Sequence, residues 1–256
     1  MLHDKYSHTH IRVRGASDTD RERIERTLHH ILSFWRTEQG PSREPQQPVV
    51  GLKLHLGCGE VYLEGYVNID FPSERHTVQT KTKADVYADI RDLSYPASSV
   101  AEVRSHHVFE HFDRGTALRL LVDWYEWLRP DGSLIIETPD FERCVRTWLR
   151  SRDEALRMRL LRHVFGSHEA DWAVHRDGWY QAKFDLYLRS LGFVHVTYSH
   201  TEYRGLHNIT VLAHKGPQLK TRDELLNSAE QLLRLSVVDS SDSEMRMLDR
   251  WMQIVA

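Results

Sequence analysis

The sequence predicts an α/β fold: a doubly wound, mostly parallel seven-stranded sheet with an antiparallel C-terminal hairpin, plus helical N- and C-terminal extensions. Three observations carry this reading. From Gly51 onward, short apolar runs alternate with stretches of helical period. The first run ends in a glycine pair and the second in a carboxylate. The last two runs lack a spacer long enough for a crossover, so they pair antiparallel.

The elements follow in order. Residues 1–50 stand apart. Over Asp18–Arg36, Ile24, Leu28, Ile31, Leu32 and Trp35 recur at spacings of three and four, which predicts a helix capped by Asp18 or Thr19. Gly40 to Pro48, with prolines at 41, 45 and 48, reads as a linker. Leu52–Leu56 and Tyr66–Ile69 are the first two strands, Asp85–Asp89 the third and Val100–Ser105 the fourth. Gly115–Leu128 is an amphipathic helix with Leu118, Leu121, Val122, Tyr125 and Leu128 on one face, and Arg129-Pro130-Asp131-Gly132 ends it. Ser133–Glu137 is the fifth strand, closed by Pro139. Gly178–Leu191 is a helix stopped by Gly192, and Phe193–Tyr198 and Leu206–His214 form the hairpin. Residues 217–256 read as a polar, helical tail. The chain therefore divides into an extension and linker (1–50), one α/β domain (51–216) and a second extension (217–256).

Composition bounds the function. The 256 residues are 40% hydrophobic and 28% charged, ordinary for a soluble globular chain. A formal charge of -3 exerts no long-range pull on nucleic acid or an anionic membrane, so neither is an expected partner. No apolar run approaches the ~20 residues of a membrane span, and Met1-Leu2-His3-Asp4-Lys5 lacks the core of a signal peptide. The two cysteines, Cys58 in the glycine loop and Cys144 in a helix, do not suggest a disulfide. Together these point to the cytoplasm.

The chemistry begins at Leu54-His55-Leu56-Gly57-Cys58-Gly59-Glu60. Two glycines after a buried strand let the backbone turn beneath a ligand. Asp70, at the tip of the second strand, is placed to accept hydrogen bonds from a ribose. The pair indicates a nucleoside cofactor. Val61-Tyr62-Leu63 follows rather than a third glycine and a helix start, so a pyrophosphate is not indicated.

With these residues the chain resembles the class I S-adenosylmethionine-dependent methyltransferases over roughly residues 51–215. Leu54–Gly59 is similar to the family's glycine loop, and Val67-Asn68-Ile69-Asp70 to its ribose-binding acid. Ala88-Asp89-Ile90 resembles its adenine-reading segment. Ser105-His106-His107-Val108-Phe109-Glu110-His111 resembles its fourth-strand signature, and Leu128-Arg129-Pro130-Asp131-Gly132 its Leu-Lys-Pro-Gly-Gly turn. The resemblance implies a Rossmann-like sheet, S-adenosyl-L-methionine as cofactor and S-adenosyl-L-homocysteine as product. It implies cofactor contacts from Gly57, Cys58, Gly59, Glu60, Asp70, Asp89, Ile90, His106 and His107. Only Glu60–Glu64 separate the glycine loop from Gly65, so the usual first helix is very short or absent. In that respect the chain is similar to bacterial methyltransferases associated with surface-polysaccharide and glycoside synthesis. The implied acceptor is a hydroxyl of a small molecule, with a sugar or glycoside favoured.

An alcohol acceptor must lose a proton, and histidine suits that task. His175, in Asp171–Gly178, is the candidate general base, with His168 second. Trp172 and Trp179 are candidate acceptor contacts. No metal ligand is assigned; Asp140 and Glu142 are the carboxylates a magnesium ion would meet. The extensions suggest a lid or a subunit interface, hence a homo-oligomer. Two rivals stay open: an N- or C-methyltransferase of another metabolite, and a non-catalytic cofactor-binding module that regulates a partner.

Overall fold

The computed structural model describes residues 51–256 apart from 73, 75–77, 79 and 80. The expected helix over 18–36 and the linker lie outside the described residues. The seven strands are β1 (Leu52–Leu56), β2 (Val67–Asp70), β3 (Val86–Tyr87), β4 (Val100–His106), β5 (Leu128–Pro139), β6 (Phe193–Tyr203) and β7 (Leu206–Lys215). They form one sheet in the order β3-β2-β1-β4-β5-β7-β6. The first five are parallel. β7 runs antiparallel to both β5 and β6, so the hairpin inserts its second strand beside β5. The strand order reverses between β1 and β4, and open α/β sheets bind ligands beyond the carboxyl ends at such a switch point.

No helix joins β1 to β2. A buried asparagine organises the connection instead. Asn68 Oδ1 accepts from the Leu63 amide at 3.0 Å and lies 2.9 Å from His55 Nδ1; its Nδ2 donates to the Leu63 carbonyl and to Asp85 Oδ2, each at 3.0 Å. One amide thereby satisfies backbone groups that a helix would have paired with itself.

The helix after β4, α1 (Arg114–Trp127), starts on Asp113, whose Oδ1 accepts from the Thr116 amide at 3.0 Å. Its expected apolar face is buried against the sheet. Leu120, Trp124 and Trp127 are buried too: Trp124 meets Phe109 and Trp127 meets Tyr95, and α5 (Arg222–Arg234) and α6 (Asp242–Val255) pack on the same helix. These two helices bury Leu225, Ala229, Leu232, Leu233, Leu248 and Val255 in the same core. Helices α5 and α6 thus pack against α1 and each other, and no described residue beyond Leu206 lines the cleft described below. No helix among the described residues is long and apolar enough to cross a membrane.

Two further differences from the sequence reading have physical causes. β5 begins at Leu128, directly after α1, and absorbs the expected turn: Asp131 adopts φ 61°, the left-handed conformation a glycine usually takes, and the β4–β5 register shifts between Val100 and Glu102. Between β5 and α4 (Gln181–Ser190) lie two helices, α2 (Phe141–Arg150) and α3 (Glu154–Phe165). Each fully buries a single residue, Cys144 or Leu160, although in α2 the apolar Phe141, Cys144, Val145, Trp148 and Leu149 share one face.

Candidate active site

The carboxyl ends of β1, β2 and β4 open into a cleft of about 1150 Å3, closed on the far side by α3 and the loop that follows it. Gly57, Cys58, Gly59, Glu60, Asp70, Asp89, Ile90, His106, His107 and His175 all line it. His168 does not. It stands exposed with φ 58°, its Nε2 2.8 Å from the Phe165 carbonyl, and so plays a part in the local loop rather than the cleft. Trp179 is also removed: it is 1% exposed and stacked on Phe184 in the core. Trp172 remains in the lining.

At the glycine-loop end, the amides of Gly57 and Cys58 both donate to the Ile69 carbonyl, at 2.8 and 3.1 Å. This ties the loop to the tip of β2. Gly57 has φ 70°, and a Cβ there would stand 2.0 Å from Val108 Cγ2, so only glycine lets the two segments approach. The Gly59 amide donates to Asp70 Oδ2 at 2.5 Å, and the Phe71 amide to Asp70 Oδ1 at 2.7 Å. Asp70 is 7% exposed, a carboxylate held by backbone donors at the floor of the cleft. Burial, with the nearby Asp70 charge, pushes the Cys58 thiol up to about 12, so it stays protonated and packs beside the loop. Asp89 caps a short 3-10 turn over Ile90–Asp92 and grips the Arg91 guanidinium at 2.5 to 3.1 Å. Ile90, buried, forms an apolar wall.

The opposite end is built from histidines and carboxylates. β4 ends in His106, and a 3-10 turn over Phe109–His111 follows. His107 is clamped between two acids: Nδ1 lies 3.3 Å from Glu110 Oε1 and Nε2 3.3 Å from Glu137 Oε1. Burial disfavours the charged ring, but the two carboxylates outweigh it and raise the His107 pKa to about 10. His107 is therefore an imidazolium at neutral pH, and the bond it makes helps lower Glu137 to about 2. Glu110 is 2% exposed, yet the same bond and the neighbouring histidines hold it ionised against burial. His106 is held below its ordinary pKa, first by burial.

His175 arrives from the loop after α3. Its amide donates to the Phe165 carbonyl at 3.0 Å, and the next amide, Arg176, donates to the Glu110 carbonyl at 2.8 Å. Its Nε2 lies 3.9 Å from Glu110 Oε1, and its ring meets the His111 ring edge-on at 4.6 Å. Burial lowers its pKa to about 4, against the pull of Glu110, so the ring is uncharged at neutral pH. Asp140 and Glu142 lie outside the lining; Asp140 caps α2 through the Arg143 amide and pairs with His200 at 3.2 Å.

Glu110 and His111 stand just past the end of β4, where a parallel sheet opens to ligands, and both enter the lining. Glu137, from β5, and Arg159, Arg162 and His163, from α3, also enter the lining.

No family model matches the chain, and no curated protein matches it. Solved structures similar to it include a SAM-dependent methyltransferase of Methanosarcina mazei, 15% identical, covering 68% of this chain and 99% of that one at a TM-score of 0.44. An S-adenosylmethionine-dependent methyltransferase of Mesorhizobium loti is 18% identical, covering 66% of this chain and 93% of that one at 0.42. Human N-acetylserotonin methyltransferase, in complex with SAM, is 18% identical, covering 64% of this chain and 47% of that one at 0.40.

Proposed function

We propose that this chain is an S-adenosylmethionine-dependent methyltransferase acting on a hydroxyl of a small molecule, with a sugar or glycoside as the acceptor class. The observation that carries the reading is Asp70: a buried carboxylate at the tip of β2, held by the glycine loop's own amide, at the floor of a large cleft. A carboxylate there offers acceptor oxygens to the two adjacent hydroxyls of a ribose. Ile90 supplies an apolar wall for the adenine, and Gly57–Gly59 supply backbone that can approach the methionine part closely. Asp89 is committed to Arg91 as well as to its turn, so the pair, rather than the acid alone, meets the adenine edge.

The cofactor brings a methyl group on a sulfonium, already a good leaving group. The chain's own work is therefore alignment, exclusion of water and care of the acceptor's proton. Trp172 and the 166–176 loop close the acceptor end. His175 takes the proton in its uncharged form, and Glu110, 3.9 Å from its Nε2, stabilises the imidazolium that results. The sugar preference rests on the helix-free β1–β2 connection and the resemblance it supports.

Calorimetric titration with S-adenosylhomocysteine, followed by methyl-transfer assays across glycosides, phenols and amines, tests the reading. The expected result is binding with one site per chain and methylation of a hydroxylated acceptor. His175→Ala should lower turnover by about 10²–10⁴-fold with cofactor affinity unchanged. Cofactor binding with no acceptor methylated in any class would favour a regulatory module instead.

A further inference from the structure

We propose that Glu110, His111 and His175 form a binding site for one divalent first-row transition ion (manganese, iron, cobalt or zinc), set at the acceptor end of the cleft. One ligand atom from each of the three residues lies within 4.8 Å of the other two. Glu110 is 2% exposed, and its Oε2 is buried with no hydrogen-bond partner among the described residues. His111 Nδ1 is buried and likewise unpartnered. A carboxyl oxygen that is both dry and unpaired carries a desolvation cost, and a cation is a ligand that removes it.

The surroundings are those of a built site. His107 holds Glu110 Oε1 and is itself held by Glu137, which fixes the carboxylate's plane and leaves Oε2 for a ligand. The Arg176 amide bonds the Glu110 carbonyl, so the loop carrying His175 is fastened to the turn carrying the other two groups. Gly166 tightens that loop further: its φ is 94°, and a Cβ there would stand 2.2 Å from the Ala173 carbonyl.

Two imidazoles and one carboxylate suit borderline divalent ions; magnesium, which prefers an all-oxygen shell, is the poorer fit. Bonds of about 2.0–2.2 Å require the three side chains to draw in from their present spread. Three protein ligands leave positions for an acceptor oxygen. A hydroxyl bound there acidifies. Its O–H bond breaks, with the proton passing to solvent. The oxygen's pair forms the new O–C bond as the C–S bond breaks, leaving its electrons on sulfur as a neutral thioether. With the ion bound, His175 is a ligand, and ionisation of the coordinated hydroxyl replaces direct proton transfer to its ring. This catalytic role rests on the methyltransferase reading; the ion site does not.

The test uses the full chain, stripped with chelator and titrated with Zn2+ and Mn2+ by calorimetry and with Co2+ by visible absorption. One ion per chain is expected, with affinity at least tenfold weaker in Glu110→Gln and His111→Ala, and unchanged in His195→Ala at the exposed sheet edge. Circular dichroism checks each fold; should Glu110→Gln not fold, His111→Ala decides. No saturable binding of any of the three ions, or equal affinity in the cluster variants, overturns the site. Methyl transfer that runs undiminished after stripping overturns the ion's catalytic role and leaves the methyltransferase reading intact. A bound ion without methyl transfer to any acceptor leaves the site standing and removes that reading.

Discussion

Replacing Asp70 by alanine should weaken binding of S-adenosylhomocysteine by about 1–3 kcal/mol, roughly 5- to 150-fold. The magnitude follows from what the carboxylate does. It is 7% exposed, so the bonds it offers a ribose form in a dry site. Hydrogen bonds to a charged acceptor contribute about 1.5–3 kcal/mol each. Water entering the vacated site offsets part of the loss, which sets the lower bound. The substitution also leaves the Gly59 and Phe71 amides without their acceptors, now at 2.5 and 2.7 Å. Unpaired buried donors cost about 1–3 kcal/mol each, and in a chain of this size each kcal/mol lowers the melting temperature by roughly 2–4 °C. Asp70→Asn separates charge from shape: it keeps one acceptor oxygen, so its affinity should fall between the wild-type and alanine values. Calorimetry at a temperature where circular dichroism shows all three proteins folded is the assay. A folded Asp70→Ala protein with affinity within twofold of wild type would refute the ribose assignment.

Gly57→Ala should destabilise the fold by about 2–5 kcal/mol, since the left-handed backbone costs about 1–2 kcal/mol and the contact with Val108 about 1–3 kcal/mol. Denaturant titration of a cycle with Val108→Ala should recover the contact part and not the backbone part; full recovery would remove the conformational argument. Asp123 sits 3.9 and 3.8 Å from Arg119 and Arg222, yet burial raises its pKa to about 6. A carboxyl with a raised folded-state pKa contributes stability that is complete below about pH 4 and lost as pH rises through 6. Asp123→Asn should therefore stabilise the protein at pH 8 by about 1–2 kcal/mol, after discounting for partial solvent access, and leave it unchanged near pH 4. Equal stabilisation at both values would mean the gain has another source.

The sheet was legible because its strands advertise themselves. Leu52–Leu56 and Ser133–Glu137 are short runs with apolar residues bounded by glycine or proline, and the missing spacer between Phe193–Tyr203 and Leu206–Lys215 dictated their antiparallel pairing. α2 was readable in principle: Phe141, Cys144, Val145, Trp148 and Leu149 recur at spacings of three and four, interleaved with Arg143, Arg146 and Arg150. α3 buries only Leu160 and carries Arg157, Arg159 and Arg162, so its pattern is the weaker. α1 misled more subtly. Its visible stripe faces the sheet, while Leu120 and Trp124 are buried as well, covered in part by helices more than 90 residues further along the chain. In the site, the glycine loop and Asp70 were readable since strand tips place them. The sequence ranked His175 ahead of His168, and the loop separates them further, turning one ring toward the Phe165 carbonyl and fastening the other beside Glu110.

Glu110 joins the two halves of the cleft. The glycine-loop half is made of strand tips and is fixed by the sheet itself: Gly57 and Cys58 hang on Ile69, and Gly59 on Asp70. The histidine half adds a loop outside the sheet, and such loops open at little cost unless tied down. The tie is Glu110. Its carbonyl takes the Arg176 amide, and its carboxylate holds the His107 imidazolium, which a second acid on β5 grips from the other side. A neutral residue at position 110 would release His107 and leave its charge with Glu137 alone. It would also remove the anion beside His111 and His175. Placing an expensive buried charge at this junction makes sense if the loop must stay registered against the tip of β4 with an acceptor between them. A purely structural turn would be served equally well by a neutral hydrogen-bonding residue, without the cost of keeping a carboxylate ionised in a dry site.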